Sequence, residues 1–347
     1  MERYLQTQEI LNMFDLSRQT LYRWIRDKEI SEPKRDWRNW RQWTEENVKE
    51  IQQLINRKIE RKNNNNNIEK VFFEVNNRRY LGSKYKLLDF ITSTVEDNCR
   101  GINIVADVFG GTGVVANKFN QKGKKIIVND LLLSNYYSYL TWFGNEDVDM
   151  KKIIQYIKLF NSTECHHNNY VSNNFGGTYF TIHNARKIGY IREKIKIFKR
   201  KKLINNREEA ILITSLIYAM DKVANTCGHY DAYRRKLDTM DEIRLLVPHL
   251  SRIDNNKDNI ICKEDANELV RHIYADLVYI DTPYNSRQYG DAYHLLENIV
   301  EWKKPPVEGV AKKMVDRGKT KSLYCTSKAP EAFEDLISNI NAKYILV

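Results

Sequence analysis

Residues 275–289 read ADLVYIDTPYNSRQY. Leu277-Val278-Tyr279-Ile280 is a short apolar run with the composition of a buried parallel strand. The run stops at Asp281, and Thr282-Pro283-Tyr284 follow. A carboxylate, a proline-fixed turn and an aromatic ring are therefore expected together at the carboxyl end of a strand. In open α/β sheets ligands bind at that end. Taken alone, the segment reads equally well as a strand end with a capping acid and a turn, since Asp and Pro are common turn residues.

The segments upstream supply further parts of a ligand site. Ile102–Val108 reads as a strand, and Phe109-Gly110-Gly111-Thr112-Gly113 leads from it into a helix, Val114–Phe119. Glycines at such a turn permit close backbone approach to a ligand. No third glycine stands at dinucleotide spacing. Lys125–Val128 reads as the next strand and ends in Asn129-Asp130. An acid there accepts ribose hydroxyls in dinucleotide-type folds, or it caps a helix beginning at Leu131. Before these strands lies Tyr80-Leu81-Gly82-Ser83-Lys84, followed by a helix with Leu87, Leu88, Phe90, Ile91 and Val95 on its buried face. Ser83 is a candidate N-cap, and a Gly-Ser helix start beside Lys84 can hold a carboxylate. Asn259–Cys262 is a further strand, and Asp265 suits the cap of a helix Ala266–Ile273. After the opening segment, a helix is expected over Ala292–Trp302, with Leu295, Leu296 and Ile299 inward. Lys303–Ser322 is basic, poorly periodic and expected to be mobile. Pro330–Asn341 reads as a helix, and Lys343–Val347 starts a strand.

The order Tyr-Leu-Gly-Ser-Lys, glycine loop, Asp130, insert, Asp281-Thr-Pro-Tyr resembles that of the Dam-like α group of amino-methylating DNA methyltransferases. The resemblance covers about residues 71–347. Asp281–Tyr284 is similar to the family's Asp-Pro-Pro-Tyr motif, with Thr282 in place of a proline. A main-chain acceptor survives that change. The resemblance implies a Rossmann-like, S-adenosylmethionine-dependent α/β fold. It implies that Tyr80, Gly82 and Lys84 touch the methionine part of the cofactor. Asp107, Phe109, Gly110, Gly111 and Gly113 would form the cofactor loop, Asp130 would hold ribose, and Asp265 would face the cofactor's adenine ring. Asp281, Thr282, Pro283 and Tyr284 would be catalytic, without a metal. The leading Asp leans towards adenine N6 in double-stranded DNA as the target, in a restriction-modification system or a phage. The alternatives are a DNA-binding regulator with a truncated, inactive domain, and an RNA methyltransferase.

Between about Ser138 and Asp258 the alternation of strand and helix is lost, and the segment reads as a polar insert. Ala185–Lys202 is strongly basic. Such a run is usually a solvated helix face, but Lys199, Arg200 and Lys201 are also candidate DNA contacts. Ala219–Lys236 mixes polar, aromatic and basic groups. By the resemblance, residues 138–258 form a target-recognition insert, and residues 71–137 and 259–347 form the catalytic domain. Cys165-His166-His167 lacks a partner pair at zinc-ligand spacing, so no metal site is indicated.

Residues 1–60 read as a small helical unit. Thr7–Phe14 buries Ile10, Leu11 and Phe14. Ser17 can cap a second helix, Arg18–Asp27, which buries Leu21, Trp24 and Ile25. That leaves Arg18, Gln19, Tyr22 and Arg23 outward, residue types that reach phosphates and base edges. An aromatic and basic strip, residues 34–43, precedes a third helix capped by Thr44. The unit resembles the winged helix-turn-helix of MerR-type regulators; without DNA contact it reads as a three-helix packing domain. Residues 61–70 are asparagine-rich and read as a linker.

The length of 347 residues suits two or three domains, and the net charge of +11 favours a polyanionic partner. The five scattered cysteines include no C-x-x-C pair, which suits a reducing cytoplasm. No apolar run approaches membrane-spanning length. The sequence stops within its last strand, where relatives carry a further edge hairpin. The expectation is a fragment, a reduced sheet, or a second chain completing the sheet.

Overall fold

Apolar residues at helical spacing make the first two helices, α1 (Thr7–Phe14) and α2 (Arg18–Arg26). Strands β1 (Lys34–Arg35) and β2 (Arg41–Gln42) form an antiparallel hairpin. Helix α3 occupies residues 45–54. Its start is capped as expected, with Asn47 N–H donating to Thr44 Oγ1 at 3.3 Å. Ile10, Leu11, Leu21, Trp24, Ile30, Trp43, Ile51 and Leu54 form the core of this part. The computed structural model describes residues 4–14, 16, 18–54, 72–121, 123–237, 241–250 and 255–347. It divides into two units, Met1–Val71 and Phe72–Val347. The expected linker and Ser17 lie outside the described residues.

The second unit begins with β3 (Phe72–Phe73) and α4 (Leu88–Asn98). Then β4 (Ile104–Asp107), α5 (Val114–Phe119), β5 (Lys125–Asn129) and α6 (Leu133–Phe143) alternate. Four helices follow, α7 (Met150–Ser162), α8 (Tyr170–Phe175), α9 (Ile182–Arg200) and α10 (Asn206–Val223). Strand β6 (Val247–Pro248) pairs with β3. Alternation resumes with β7 (Ile260–Cys262), α11 (Ala266–Val270) and β8 (Ala275–Tyr279). After β8 come α12 (Tyr289–Ala292), α13 (His294–Glu301), the hairpin β9 (Val307–Glu308) and β10 (Lys313–Met314), α14 (Ala329–Asn339) and β11 (Ala342–Leu346).

The central sheet has the order β11-β8-β4-β5-β7, and every neighbouring pair is parallel. Its inner strands are apolar on both faces, as a parallel sheet covered by helices requires. Val105, Ile126, Val128 and Leu277 join the core shared with α5, α6, α10 and α13. Ala106, Ile127 and Val278 face the other way, onto α11 and α14. From β4 the chain winds outward through β5 to β7. It then returns to the other side of β4 as β8. A crevice opens at the carboxyl ends of strands where such a reversal occurs.

Several expectations need correction. Ser83 makes no side-chain cap; the chain passes through a 3₁₀ turn at Lys84–Leu87 before α4. Leu87 and Phe90 are exposed, and only Ile91 and Val95 of α4 are buried. The helix expected over residues 292–302 breaks at Tyr293 and ends with Trp302 in the left-handed region. The segment 303–322 carries the hairpin β9–β10 and is tied down by Arg317–Asp291 (2.8 Å) and by Ser322 N–H donating to Gln288 (2.8 Å). The insert is not polar throughout. Helix α10 is apolar on nearly all sides and buried along its length, so it forms core rather than surface. The basic helix α9 buries Lys187 and Arg192. Arg192 donates to the carbonyls of Ile299 and Val300 (2.7 and 2.8 Å), satisfying the carboxyl end of α13. Among the described residues no helix is long and apolar enough to cross a membrane.

Candidate active site

The glycine turn after β4 is shaped by what surrounds it. A side chain at Gly110 would bring its Cβ within 2.7 Å of Tyr139 Oη and 2.9 Å of Val128 Cγ2. Gly111 and Gly113 have φ of +53° and +81°, which glycine adopts without steric cost. Gly110 N–H donates to the Asn129 carbonyl (2.8 Å), and Tyr139 O–H donates to the Gly111 carbonyl (2.8 Å). The two carboxylate oxygens of Asp130 accept from Gly111 N–H (3.0 Å) and Leu132 N–H (2.8 Å). Asp130 thus fixes the loop and the approach to α6, and it still lines the cleft. Gly113 packs against the Tyr139 and Phe143 rings behind the loop and takes no part in the cleft wall.

Asp107, at the end of β4, is 1% exposed. Its Oδ2 accepts from Ala116 N–H at 3.3 Å, and its Oδ1 has no hydrogen-bond partner. Burial, with the nearby Asp281 carboxylate, pushes its pKa up to about 8. Phe109 continues the wall, edge-on to Tyr324 at 5.1 Å. Asp265 does act as a cap, accepting from Asn267 N–H at 2.9 Å, and its exposed side chain also stands at the cleft rim.

On the opposite wall Tyr80 stacks on Tyr293 with centroids 4.6 Å apart and planes 6° apart. The buried guanidinium of Arg78 lies 5.2 Å from the Tyr80 ring and donates to Asn135 Oδ1 at 2.7 Å. Asn135 in turn donates to Tyr80 Oη at 3.1 Å. Gly82 has φ +75° and lies under Tyr289 Oη. Lys84 does not point at an open carboxylate site. Its ammonium donates to Asp281 Oδ2 at 2.5 Å and to the Gly82 carbonyl at 3.2 Å. Asp281, Thr282, Pro283 and Tyr284 leave the end of β8 and line the same cleft. The Tyr284 ring is 72% exposed, so it offers a free face.

The cleft therefore gathers Tyr80, Gly82, Lys84, Asp107, Phe109, Gly110, Gly111, Asp130 and Asp265 with Asp281, Thr282, Pro283 and Tyr284. Aromatic rings, bare backbone and a few polar groups converge there, the make-up of a small-molecule site. Several contributors carry no signal at sequence level. Asn129 joins three strand ends, donating to the Val108 and Glu264 carbonyls (3.1 and 3.0 Å) and accepting from Glu264 N–H (3.0 Å). Glu297 reaches from α13 to accept from Leu133 N–H and Ser134 N–H, both at 2.8 Å, and so caps α6 from a distance. Tyr289 and Tyr324 complete the walls.

The remaining candidates lie elsewhere. Lys199 is engaged by Asn206 (2.5 Å) and Glu209 (3.6 Å), while Arg200 and Lys201 are exposed at the α9–α10 turn. That turn sits beside the far end of α6, where Asn206 donates to Glu146 at 2.8 Å. Helix α6 starts at the cleft, so the three basic residues stand at the opposite end from it. The loop after α10 packs instead on the segment that follows Asp281–Tyr284. Its Tyr230 N–H donates to the Ala292 carbonyl (2.7 Å), and its Asp231 pairs with Lys313 (2.9 Å) and Arg287 (3.7 Å). In the first unit Arg18, Tyr22 and Arg23 are exposed on α2; the side chain of Gln19 lies outside the described residues.

A parallel five-stranded sheet with a glycine turn after one strand and an Asp-Thr-Pro-Tyr turn after its neighbour is consistent with a Rossmann-like methyltransferase fold. Residues 80–345 match the D12 class N6 adenine-specific DNA methyltransferase, and the chain belongs to that family. It is similar to the modification methylase StsI of Streptococcus sanguinis, 37% identical over 283 residues, which cover 78% of this chain and 43% of that protein. It is similar to the type II methyltransferase M.FokI of Planomicrobium okeanokoites, 34% identical over 286 residues, 78% of this chain and 44% of the other. The type II methyltransferase M.NlaIII of Neisseria lactamica is 31% identical over 280 residues, 77% of this chain and 82% of the other. The chain thus spans less than half the length of the first two relatives.

Family membership implies a methyl donor of the S-adenosylmethionine type. The cleft residues fit such a group. At Gly111 a side chain would come within 3.3 Å of Tyr80 Cε1 on the opposite wall, and the unpartnered Asp107 Oδ1 suits a cationic ligand.

Proposed function

We propose that the chain transfers a methyl group from S-adenosylmethionine to the N6 amino group of adenine in double-stranded DNA, as the modification enzyme of a type II restriction-modification system. The observation that carries this reading is the convergence of Asp281–Tyr284 and the Gly110–Gly111 turn on one cleft, from adjacent strands. The names of the relatives support the adenine and restriction-modification parts.

The donor, when bound, supplies a methyl group already activated by its sulfonium. The poor partner is the adenine amino nitrogen, whose lone pair is delocalised into the ring. Asp281 as carboxylate and the Thr282 carbonyl accept the two amino hydrogens. That draws the nitrogen towards tetrahedral geometry and frees its lone pair for in-line attack, after which the methylated nitrogen would shed one of those hydrogens as a proton to solvent. Positioning and electrostatics do most of this. Pro283 fixes the turn that presents the Thr282 carbonyl. Tyr284 stacks on the base, which must leave the duplex to reach the cleft. Asp107 and Asp265 face the donor, Asp130 accepts its ribose hydroxyls, and Tyr80 and Phe109 wall it in. Lys84 holds Asp281 until the base arrives.

Residues 71–137 and 259–347 form the catalytic domain in this reading, and residues 138–258 form the target-recognition insert. Residues 1–60 form a winged helix-turn-helix that contacts DNA through Arg18, Gln19, Tyr22 and Arg23. Lys199, Arg200 and Lys201 provide a second, electrostatic contact. Purified protein should pass labelled methyl groups to duplex DNA, and Asp281→Ala should abolish this while leaving donor binding intact. Donor binding without label in DNA at high enzyme would favour the inactive-regulator reading instead. Label entering RNA and not DNA would favour the RNA reading.

A further inference from the structure

Two of the tryptophans in the first unit are built into its core, and two are held out of it. Trp24 and Trp43 are 5% and 0% exposed. Trp37 and Trp40, at the tip of the β1–β2 hairpin, are 85% and 59% exposed. Large apolar rings left in water cost hydrophobic free energy, so a hairpin that displays two of them calls for a covering partner.

The tip is rigid. Asp36 Oδ1 accepts from both Arg38 N–H and Trp40 N–H at 2.9 Å, and Asp36 N–H donates to the Trp40 carbonyl at 2.9 Å. Asn39 sits in the left-handed region at φ +66°, closing the turn. The backbone that carries the indoles is thus set before anything binds, which lowers the entropy cost of binding. Their surroundings are cationic. Residues 32–41 carry Lys34, Arg35, Arg38 and Arg41 against Glu32 and Asp36. The Arg38 guanidinium lies 4.4 Å over the Trp37 ring. Arg41 lies 4.6 Å over the ring of Tyr22, which joins β2 to the outward side of α2. Indole faces framed by arginines match a polyanion with stacked aromatic rings.

We propose that the Trp37/Trp40 tip is a wedge that enters duplex DNA against its bases, with Lys34, Arg35 and Arg38 on the flanking phosphates. Apolar side chains that enter a base step unstack it and kink the duplex, while neighbouring cations hold the backbone. The proposal rests on the reading of residues 1–60 as a DNA-binding unit, and it adds a bend to what that unit does.

The test uses the full chain and a duplex labelled at both ends for energy transfer. Trp37→Ala/Trp40→Ala should weaken DNA binding at least about tenfold and reduce the bend, since stacked rings contribute at that level. The slope of affinity against salt should not change, because no charge is lost. Arg38→Ala should lower that slope by about one. Both indoles are exposed, so an unchanged thermal transition is expected and checks folding. Wild-type affinity and bend in the double variant would overturn the wedge. If Arg18→Ala/Arg23→Ala weakens binding in that case, the DNA-binding reading of the unit stands and only the wedge fails. If neither variant changes binding, both fall.

Discussion

Lys84 Nζ lies 2.5 Å from Asp281 Oδ2, so a cation from the segment before the sheet holds a carboxylate that follows β8. The two residues are 197 positions apart, and most of the domain lies between them. Lys84→Met removes a charged hydrogen bond, a contribution of about 1.5–3 kcal/mol. Methyl transfer should fall by roughly 10- to 100-fold at saturating donor, and Lys84→Arg should keep part of the rate. Donor affinity, measured by calorimetry, should change little. A matching loss of donor affinity would return Lys84 to the donor's carboxylate, the role first expected for it.

Asp107 predicts a pH dependence. Its folded pKa is raised to about 8, chiefly by burial and then by Asp281, above an ordinary value of 3.8. Between those values the folded chain holds a proton that the unfolded chain has lost. Stability from this group is therefore complete below about pH 4 and lost as pH rises through 8. Urea midpoints of the protein should drop across pH 5 to 8, and Asp107→Asn should flatten that drop. A cationic donor favours the ionised group, so donor binding should tighten over the same interval in wild type and not in Asp107→Asn.

Arg78 is buried against Asp221 (3.7 Å), whose other oxygen accepts from Tyr230 O–H at 2.7 Å. Removing one member of a buried pair strands the other, at a cost of about 3–5 kcal/mol. Arg78→Met should lower the denaturation midpoint accordingly, and adding Asp221→Asn should restore part of it. Additive losses in the double variant would show that the pair is not coupled.

Gly110→Ala would place a methyl group against Tyr139 Oη and Val128. Overpacking of this kind costs about 1–3 kcal/mol, here within the loop proposed to receive the donor. Donor affinity should fall at least about tenfold, and Tyr139→Phe, which removes the closer atom, should recover part of it. Equal affinity in wild type and Gly110→Ala would mean that the loop does not approach the donor.

Much of the sheet and cleft was legible in the chain because the signals are local. Val114–Phe119 begins and ends where its apolar spacing says it should. Asp281–Tyr284 and the glycine loop meet because strands announce their ends. What escaped reading depends on partners far away. Nothing next to Glu297 says that it caps a helix more than 160 residues earlier. Asp130 looked like a choice between two roles, yet its two oxygens already hold Gly111 and Leu132 while it stays on the cleft wall. The burial of Lys187 and Arg192 ran against the composition of their helix, because each finds carbonyl acceptors that only the tertiary fold supplies. Phe90 erred the other way, an apolar residue at helical spacing that the fold leaves exposed.

Leu81 N–H donates to Tyr293 Oη at 2.7 Å across 212 residues, and Tyr293 is the ring on which Tyr80 is stacked. One wall of the cleft is thus made by the chain early and steadied by the chain late. Closing so long a loop is slow relative to local helix formation. During synthesis the first unit and the helices of the insert can form while the cleft is still open on one side. The tyrosine stack closes only once α12 and α13 have emerged, so the nascent chain should complete its first unit and the helices α7–α10 before the cleft has both its walls.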